Sequence, residues 1–342
     1  MKIDLRKIIE INNLSVSYGK NLKPTLKNFT LDVFERNHLA IIGSSGCGKS
    51  TLVKSIVQML PEGAIYKGRL LINGRDPRNL NNEALKVFRR SHFGFIYQDS
   101  IKKLNPLMSV GEHLFELLKL HFINQSNSYL SKKVVEIFSK VGISSKRLNS
   151  FPHEFSGGMR QRVCIALAIA LNPKIIIADE PTTSLDAYTS YEIMKQLLLL
   201  CDEYSSTLLL VTHDIALASK WCKRIAIIDE GVIAEQGFLK DVMQSTQSNI
   251  GKKLLKAASL SIKKLPLSDI NSEVVLEVGN LRHWYRLNSS LIKPKWNKAI
   301  NEVSFKLFQN ETLGIVGRSG SGKSTLGKAL VGLLNKRGGQ IK

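Results

Sequence analysis

The sequence predicts an α/β fold built on a parallel sheet, and the ends of three apolar runs carry that prediction. The first run leads into a glycine-rich loop, 43–51, which opens a helical segment. The second ends in two adjacent carboxylates, Asp179 and Glu180, and the third, 208–212, ends at His213. Continuous apolar runs of this length are typical of strands buried on both faces of a sheet. Ligand sites of such sheets lie at the carboxyl ends of the strands, so the three ends are expected to converge.

The loop 43–51 fits the phosphate-binding pattern G-x-x-x-x-G-K-[ST] and lies between a strand-like run, 39–42, and a helical run, 51–60. Its glycines let backbone N–H groups turn toward phosphate oxygens, and the helix N-terminus adds its positive dipole end. Lys49 is expected to reach the β- and γ-phosphates, and Ser50 is expected to hold Mg²⁺. The nucleotide-binding residues predicted in this loop are Gly43, Ser44, Gly46, Cys47, Gly48, Lys49, Ser50 and Thr51.

A mostly helical stretch follows the strand-like run 93–97 and begins near Gln98. Apolar residues recur at helical spacing over 110–122 and 130–141. Ser156 is then a good N-cap for a further helix that runs to Leu171. Gly157 and Gly158 lie at that helix start, where the dipole favours an anion. Taken alone, this pattern is better explained by an ordinary capped helix.

Asp179 and Glu180 are consecutive at a strand end, so their side chains are expected to point to opposite faces. Asp179 can then serve Mg²⁺ while Glu180 faces an attacking water. His213 arrives at the same sheet edge from another strand, and at this spacing a catalytic role is expected. Asp186 follows the carboxylates closely.

The pattern before and within the first loop is repeated about 270 residues later. We therefore predict a complete domain over 5–240, a basic linker or extension with one short amphipathic helix over 241–271, and the N-terminal fragment of a second copy over 272–342. The apolar run 313–316 is expected to be the central strand of this second copy and to lack neighbouring strands. This fragment is therefore not expected to hydrolyse nucleotide. The second predicted loop comprises Gly317, Gly320, Gly322, Lys323, Ser324 and Thr325. Tyr285 of the second copy corresponds in position to Tyr18 of the first.

The chain has 342 residues and a formal net charge of +21. Such a charge suits anionic nucleotides, lipid headgroups or nucleic acid, and equally a lysine-rich solvated surface. No apolar run approaches the roughly 18 residues needed to span a bilayer, and no secretory signal is evident at the N-terminus. The four cysteines show no metal-binding or disulfide spacing, which is typical of a reduced, cytosolic protein.

In order along the chain, these features resemble the ATP-binding cassette (ABC) ATPases. The residues that carry the resemblance are Tyr18, Gly43 to Thr51, Gln98, Ser156 to Arg162, Ile175 to Glu180, Asp186 and His213. Leu104-Asn105-Pro106 and the form Ser-Gly-Gly-Met-Arg-Gln-Arg are similar to the oligopeptide, dipeptide and nickel importer subfamily, some of whose members fuse two ATPase copies. The resemblance implies a P-loop NTPase fold with an antiparallel β subdomain and an α-helical subdomain over about 98–170.

The resemblance also implies roles for individual residues. Tyr18 would stack on adenine, and Gln98 would sense the γ-phosphate, help to hold Mg²⁺ and contact a membrane subunit. Asp179 would hold Mg²⁺ through water, Glu180 would be the general base, and His213 would contact the γ-phosphate. The residues implied to act between two facing ATPase domains are Ser156, Gly157, Gly158 and Asp186. Ser100 to Lys103 depart from the subfamily pattern, which bears on the membrane-subunit contact.

The function expected from this resemblance is that of an ATP-hydrolysing subunit, with ATP and Mg²⁺ as cofactors, that energises import of peptides, nickel or a similar small solute. Its expected partners are integral membrane permease subunits, a second ATPase domain and, indirectly, a solute-binding protein. Its expected location is the cytoplasmic face of the inner membrane. No nucleic acid is expected, although two alternatives stay open: a soluble tandem ABC ATPase acting on ribosomes or nucleic acid, and a truncated product without transport activity.

Overall fold

The computed structural model of the chain describes residues 6–19, 23–98, 104–258, 273–287, 295–318, 320–334 and 338–342. The chain divides into two compact units. The first comprises Met1–Leu185 and Ser190–Leu260, and the second comprises Asp186–Thr189 and Ser261–Lys342. No helix in the described ranges is long and apolar enough to cross a membrane.

The centre of the first unit is a sheet whose described strands number six, in the order β5-β6-β7-β3-β8-β9. All neighbours pair in parallel except β8 and β9, which are antiparallel. The strands are β3 (Leu39–Ile42), β5 (Phe93–Ile96), β6 (Ile175–Asp179), β7 (Thr207–Thr212), β8 (Arg224–Asp229) and β9 (Val232–Phe238). The three apolar runs of the sequence are β3, β6 and β7. Their carboxyl ends therefore lie side by side, as predicted.

A second, antiparallel sheet of the same unit has the order β2-β1-β4. Its strands are β1 (Lys7–Tyr18), β2 (Leu26–Phe34) and β4 (Ala64–Ile72). The side chains of β1 alternate between buried and accessible positions over much of its length, which is the pattern of a sheet with one face on the core.

Three helices of this unit begin at serine N-caps, of which the sequence analysis named Ser156. Side-chain oxygens of Ser109, Ser126 and Ser156 each accept a hydrogen bond from a backbone N–H three residues later. Apart from residues 187–189 of α6, which belong to the second unit, the helices of this unit are α1 (Lys49–Ile56), α2 (Asn82–His92), α3 (Val110–His121), α4 (Asn127–Lys140), α5 (Gly157–Ile169), α6 (Ala187–Glu203), α7 (Ile215–Trp221), α8 (Leu239–Ser245) and α9 (Asn249–Ala258). Short 3₁₀ turns lie at Pro77–Asn79, Ser145–Arg147 and Pro152–Glu154.

The hydrophobic core lies in two layers, one on each face of the central sheet. Along β3, Leu39 and Ile41 belong to the layer shared with the antiparallel sheet and α1. Ala40 and Ile42 belong to the layer shared with helices α3 to α7. Every residue of β3 is at most 2% exposed, so the strand before the phosphate loop is buried on both faces.

The first unit continues beyond residue 240, where the sequence placed a domain boundary. Ile250, Leu254 and Leu255 on α9 pack against the helical side of the core. The carboxylate of Glu235 accepts hydrogen bonds from the hydroxyls of Thr246 and Ser248 and from two backbone N–H groups at the turn between α8 and α9. Part of the predicted linker is therefore a folded extension, while 259–271 lie outside the described residues.

The second unit contains an antiparallel sheet in the order β11-β10-β12 and one described helix. The strands are β10 (Val274–Leu287), β11 (Lys295–Phe308) and β12 (Gly338–Ile341), and the helix is α10 (Lys323–Leu330). A small apolar cluster lies between this sheet and α10, formed by residues such as Val278, Leu281, Ile300 and Leu326.

The prediction of a strand over 313–316 is wrong. These residues have no regular secondary structure, and Leu313, Ile315 and Val316 are 40%, 44% and 92% exposed. The matching strand of the first unit, β3, has a parallel neighbour on each side. No described strand pairs with 313–316. A strand's backbone groups need such partners, so the segment stays irregular.

Candidate active site

The phosphate loop of the first unit connects β3 to α1 and depends on glycine at defined positions. Gly46 and Gly48 have φ values of 81° and 113°, in the left-handed region that favours glycine. A Cβ atom on Gly48 would also lie 2.8 Å from the Leu26 side chain and 3.2 Å from the Thr25 carbonyl oxygen. The loop is therefore packed against the antiparallel sheet while its backbone stays open toward the cavity.

Two contacts fix the start of α1. The Lys49 ammonium donates hydrogen bonds to the carbonyl oxygens of Gly43 and Ser44, at 2.6 and 2.8 Å. The Tyr18 hydroxyl lies 3.0 Å from the Thr51 hydroxyl. Tyr18 is thus placed beside the phosphate loop, and its role in adenine stacking stays a prediction.

A cavity of about 640 Å³ lies above the loop at the carboxyl ends of the strands. It brings together the loop, the carboxylate pair, Gln98 and His213, as the sequence predicted. Its lining residues are Thr25, Ser45, Gly46, Gly48, Lys49, Ser50, Thr51, Gln98, Asp179, Glu180, Thr183 and His213. Both its volume and its position at the strand ends are typical of small-molecule sites in α/β proteins.

Glu180 lies at the centre of a hydrogen-bond network in this cavity. The Gln98 side-chain amide donates to its Oε2 at 2.9 Å, and the Thr183 hydroxyl donates to the same oxygen at 3.0 Å. The His213 Nδ1 lies 2.8 Å from its Oε1. The Glu180 side chain is 16% exposed and that of His213 is 57% exposed, so the carboxylate is the more enclosed partner. Two distant segments and one residue of the same turn therefore orient this carboxylate.

Asp179 occupies the last position of β6 and is partly buried. Burial raises the pKa of its carboxyl above the usual range, the neighbouring Glu180 charge raises it further, and the Lys49 charge opposes both effects. A bound cation would favour the ionised form. The raised pKa therefore indicates a carboxylate whose charge is not matched by protein groups alone.

The cavity also contains residues that the sequence analysis did not single out, namely Thr25, Ser45 and Thr183. Ser45 occupies a variable position of the loop pattern, so the motif gives no reason to select it. Thr183 stands in a run of hydroxyl residues between the carboxylates and Asp186, which was the available signal. Thr25 lies on the segment before β2, and nothing local in the sequence connects it to the loop.

Several predicted residues lie outside the cavity lining. Gly43 and Ser44 contribute the carbonyl oxygens that hold Lys49, and Cys47 is buried beneath the loop. Ser156, Gly157 and Gly158 begin α5 but do not line the cavity. The Asp186 carboxylate accepts hydrogen bonds from the backbone N–H and the hydroxyl of Thr189 at the start of α6. The intersubunit roles of these four residues stay predictions.

The phosphate loop of the second unit has a similar local geometry. Lys323 donates to the carbonyl oxygens of Gly317 and Arg318 at 2.6 and 2.8 Å, and Gly320 and Gly322 have φ values of 79° and 96°. Ser324 and Thr325 begin α10 beside it. The phosphate contacts of this second loop stay predictions.

The donor set of the first cavity fits Mg²⁺ bound together with phosphate. The Ser50 hydroxyl, the Gln98 side-chain oxygen and the Asp179 carboxylate are the hard oxygen ligands that Mg²⁺ prefers, and it is usually bound through one or two protein groups plus phosphates. In the described part of the chain, no group of three or more His, Cys, Asp or Glu side chains could hold a metal on its own. Mg²⁺ binding is therefore expected to depend on nucleotide.

The fold and this site define an ATP-binding cassette. The model of the ABC transporter family matches residues 26–183 and 300–342, more than half of the chain. The chain belongs to the ABC transporter family, and the predicted fold class is confirmed.

Relatives and solved structures agree with this assignment. The chain is 33% identical over 339 residues to the peptidoglycan transport ATP-binding protein YejF of Agrobacterium fabrum, covering 97% of the chain and 62% of the relative. It is 30% identical over 373 residues to the glutathione import ATP-binding protein GsiA of Pectobacterium atrosepticum, covering 98% and 60%. The chain thus spans about three fifths of the length of these curated relatives.

Among solved structures, the ATP-binding cassette MJ0796, a dimer in a post-hydrolysis state bound to ADP and Pi, is similar with a TM-score of 0.59 and 31% identity. The alignment covers 68% of this chain and 98% of that chain. A second similar structure, cbiO1 from Clostridium perfringens, which is part of the ABC transporter complex cbiONQ, has a TM-score of 0.63, 26% identity and coverage of 75% of this chain and 96% of that chain.

Proposed function

We propose that the chain is the ATP-binding and ATP-hydrolysing subunit of an ABC importer for peptides or a similar small solute. The observation that carries this proposal is the position of Glu180. It is an enclosed carboxylate, oriented by Gln98 and His213, in the same cavity as the phosphate-loop lysine Lys49. A base, a cationic phosphate ligand and a glycine cradle are the parts that phosphoryl transfer to water requires.

Each side chain has a defined task toward the nucleotide or the water in this proposal. Lys49 binds the β- and γ-phosphates, and the loop N–H groups bind phosphate oxygens. Ser50, Gln98 and Asp179 would hold Mg²⁺, which neutralises phosphate charge when bound. Glu180 accepts a proton from the attacking water, and His213 contacts the γ-phosphate.

An apolar groove supports a protein partner for this unit. The groove has a volume of about 560 Å³ and lies between β5 and helices α3 and α5. Phe95, Tyr97, Leu104 and Leu117 contribute to its lining, while Arg89 and Arg90 add positive charge. The groove runs along β5, the strand that leads to Gln98. A membrane subunit bound in the groove would therefore contact the segment that carries Gln98, which lines the cavity above the phosphate loop. We propose that permease subunits dock here and hold the chain at the cytoplasmic face of the membrane.

Co-expression with candidate permease subunits tests this partnership. We expect the chain to be recovered with integral membrane subunits in detergent extracts, and to be released from them when Leu117→Asp places a charge in the groove. Glu62→Lys, a change of comparable size on an exposed turn, is the control. Recovery with ribosomes or nucleic acid instead would favour the alternative of a soluble tandem ATPase.

The solute class is supported by the names of the relatives. Peptidoglycan transport and glutathione import both concern peptide-containing solutes. Nickel is the second candidate, on the subfamily resemblance alone. Substrate choice would lie in the permease and in a solute-binding protein that delivers the solute to it.

Pairing of two ATPase domains is the remaining part of the proposal. Ser156, Gly157 and Gly158 form a capped helix start but do not line the cavity of their own unit. We propose that they complete the site of a facing ATPase domain, with Asp186 coupling the two sites. Another copy of this chain, or a different subunit, supplies that facing domain.

Mixing two inactive variants tests whether the partner is another copy of this chain. Lys49→Ala lacks the phosphate contact, and Gly157→Asp places a negative charge at the helix start. We expect the mixture to recover up to about one quarter of wild-type ATPase activity, because random pairing leaves one intact composite site in half of the dimers. If circular dichroism shows that each variant is folded, a lack of recovered ATPase activity on mixing would contradict pairing between copies of this chain.

A further inference from the structure

We propose that Thr183 is a positioning residue for the catalytic carboxylate, a role that goes beyond the residues named above. This inference rests on the proposed function, because it assigns to Thr183 the task of holding Glu180 in place as the base. The hydroxyl of Thr183 donates to Glu180 Oε2 at 3.0 Å, and Thr183 lines the cavity.

The backbone conformation of Glu180 is unusual, and this explains why its side chain needs a residue that fixes its orientation. Its φ is +46°, in the left-handed region that non-glycine residues adopt infrequently. Its N–H donates to the Val211 carbonyl oxygen at 2.8 Å, which ties this conformation to the end of β7. The backbone therefore leaves the extended conformation of β6 at Glu180, directly after the strand ends at Asp179. Such a conformation persists where the surroundings fix it, and these positions are often found at active sites.

Thr183 belongs to the same turn as Glu180. Its backbone N–H lies 3.4 Å from the Glu180 carbonyl oxygen, and its hydroxyl reaches the carboxylate of the same residue. The side-chain contact is therefore local and spans three residues. It needs no movement of a distant segment to form or to persist.

The other two donors to Glu180 come from distant segments. Gln98 follows β5, and His213 follows β7. In the proposed function both have a second task, because Gln98 helps to hold Mg²⁺ and His213 contacts the γ-phosphate. Both side chains are therefore also positioned by the bound nucleotide and Mg²⁺. Thr183 has no such task, so it is the donor that keeps Glu180 Oε2 oriented and leaves Oε1 for the attacking water.

The magnitude of the effect follows from the kind of hydrogen bond. A hydrogen bond to a charged group contributes more than a neutral one, but Thr183 is exposed, and water replaces part of a lost contact. We therefore expect loss of the hydroxyl to lower kcat about tenfold. The KM for ATP is expected to stay within about twofold, because the hydroxyl contacts the base rather than the nucleotide.

The experiment compares Thr183→Val, Thr183→Ser and Ser184→Ala in the full chain, with ATPase kinetics as the readout. Valine keeps the shape of threonine without the hydroxyl, while serine keeps the hydroxyl without the methyl group. We expect the valine variant to lose about tenfold in kcat and the serine variant to stay within about twofold of wild type. Ser184→Ala removes the neighbouring exposed hydroxyl, which does not line the cavity, and is expected to leave kcat unchanged.

Single-turnover rates in a Glu180→Gln background complete the test. If Thr183 acts through Glu180, adding Thr183→Val to Glu180→Gln is expected to change the residual rate less than twofold. Near-normal kcat in Thr183→Val, equal losses in the valine and serine variants, or a further tenfold loss in the double variant would each overturn the inference. Normal turnover in Glu180→Gln alone, or none in the wild-type chain, would instead overturn the proposed function, and the inference with it.

Discussion

Glu180→Gln is expected to abolish nearly all ATP turnover while ATP binding is retained. Glutamine has almost the shape of glutamate, so it can keep contacts around the cavity, but it cannot accept a proton from water. General bases contribute about 10²- to 10⁴-fold to rate, and the expected loss of kcat lies in that range. Because binding continues without hydrolysis, the variant should accumulate an ATP-bound dimer.

Steady-state ATPase rate and gel-filtration mass with and without ATP should be measured on the same preparations. Glu62→Gln makes the same chemical change on an exposed turn and serves as the control for the substitution itself. Turnover close to that of the wild type in Glu180→Gln would refute the assignment of Glu180 as the base.

Lys49→Ala is expected to weaken ATP binding about 10- to 100-fold, the second large effect. Lys49 is the lysine of the phosphate loop, and its ammonium lies against the carbonyl oxygens of Gly43 and Ser44. Its removal leaves phosphate charge at the loop without its positively charged ligand. Tyr18→Ala should weaken binding by less than about tenfold, because an aromatic stack contributes less than a charge contact.

An ATP titration of both variants measures the two effects. Lys54→Ala is the matched control, since Lys54 lies on the same helix, is exposed and is absent from the cavity lining. The ranking would be overturned if Tyr18→Ala proved the more damaging change, or if Lys54→Ala weakened binding as much as Lys49→Ala.

Local sequence patterns predicted much of the fold and of the candidate site. Ser156 was predictable as a helix start because capping depends on a side chain and a backbone N–H three residues apart. The strand before the phosphate loop was predictable because burial on both faces requires a continuous apolar run. The meeting of Glu180 and His213 followed from the rule that parallel strand ends share one edge.

Features that depend on distant partners were less accessible. The sequence places Gln98 and Thr183 far apart, and only the folded sheet shows that both donate to one oxygen of Glu180. The run 313–316 has the composition of a strand, but composition cannot supply the neighbours that a strand requires. The sequence predicted a linker or extension with one short helix over 241–271, but the polar turn between α8 and α9 gives no sign that Glu235 would bind it.

The likeness of the two phosphate loops has a consequence for genome annotation. Both loops fold their lysine onto two carbonyl oxygens at 2.6 and 2.8 Å, although one follows a fully paired strand and the other an irregular, exposed segment. The described residues of the loop adopt this geometry in both settings, whereas Glu180 and His213 reach the first cavity from strands that are remote in sequence. The number of such motifs in a genome is therefore the number of phosphate-binding loops. The number of active ATPase sites has to be counted from the residues that distant strands contribute.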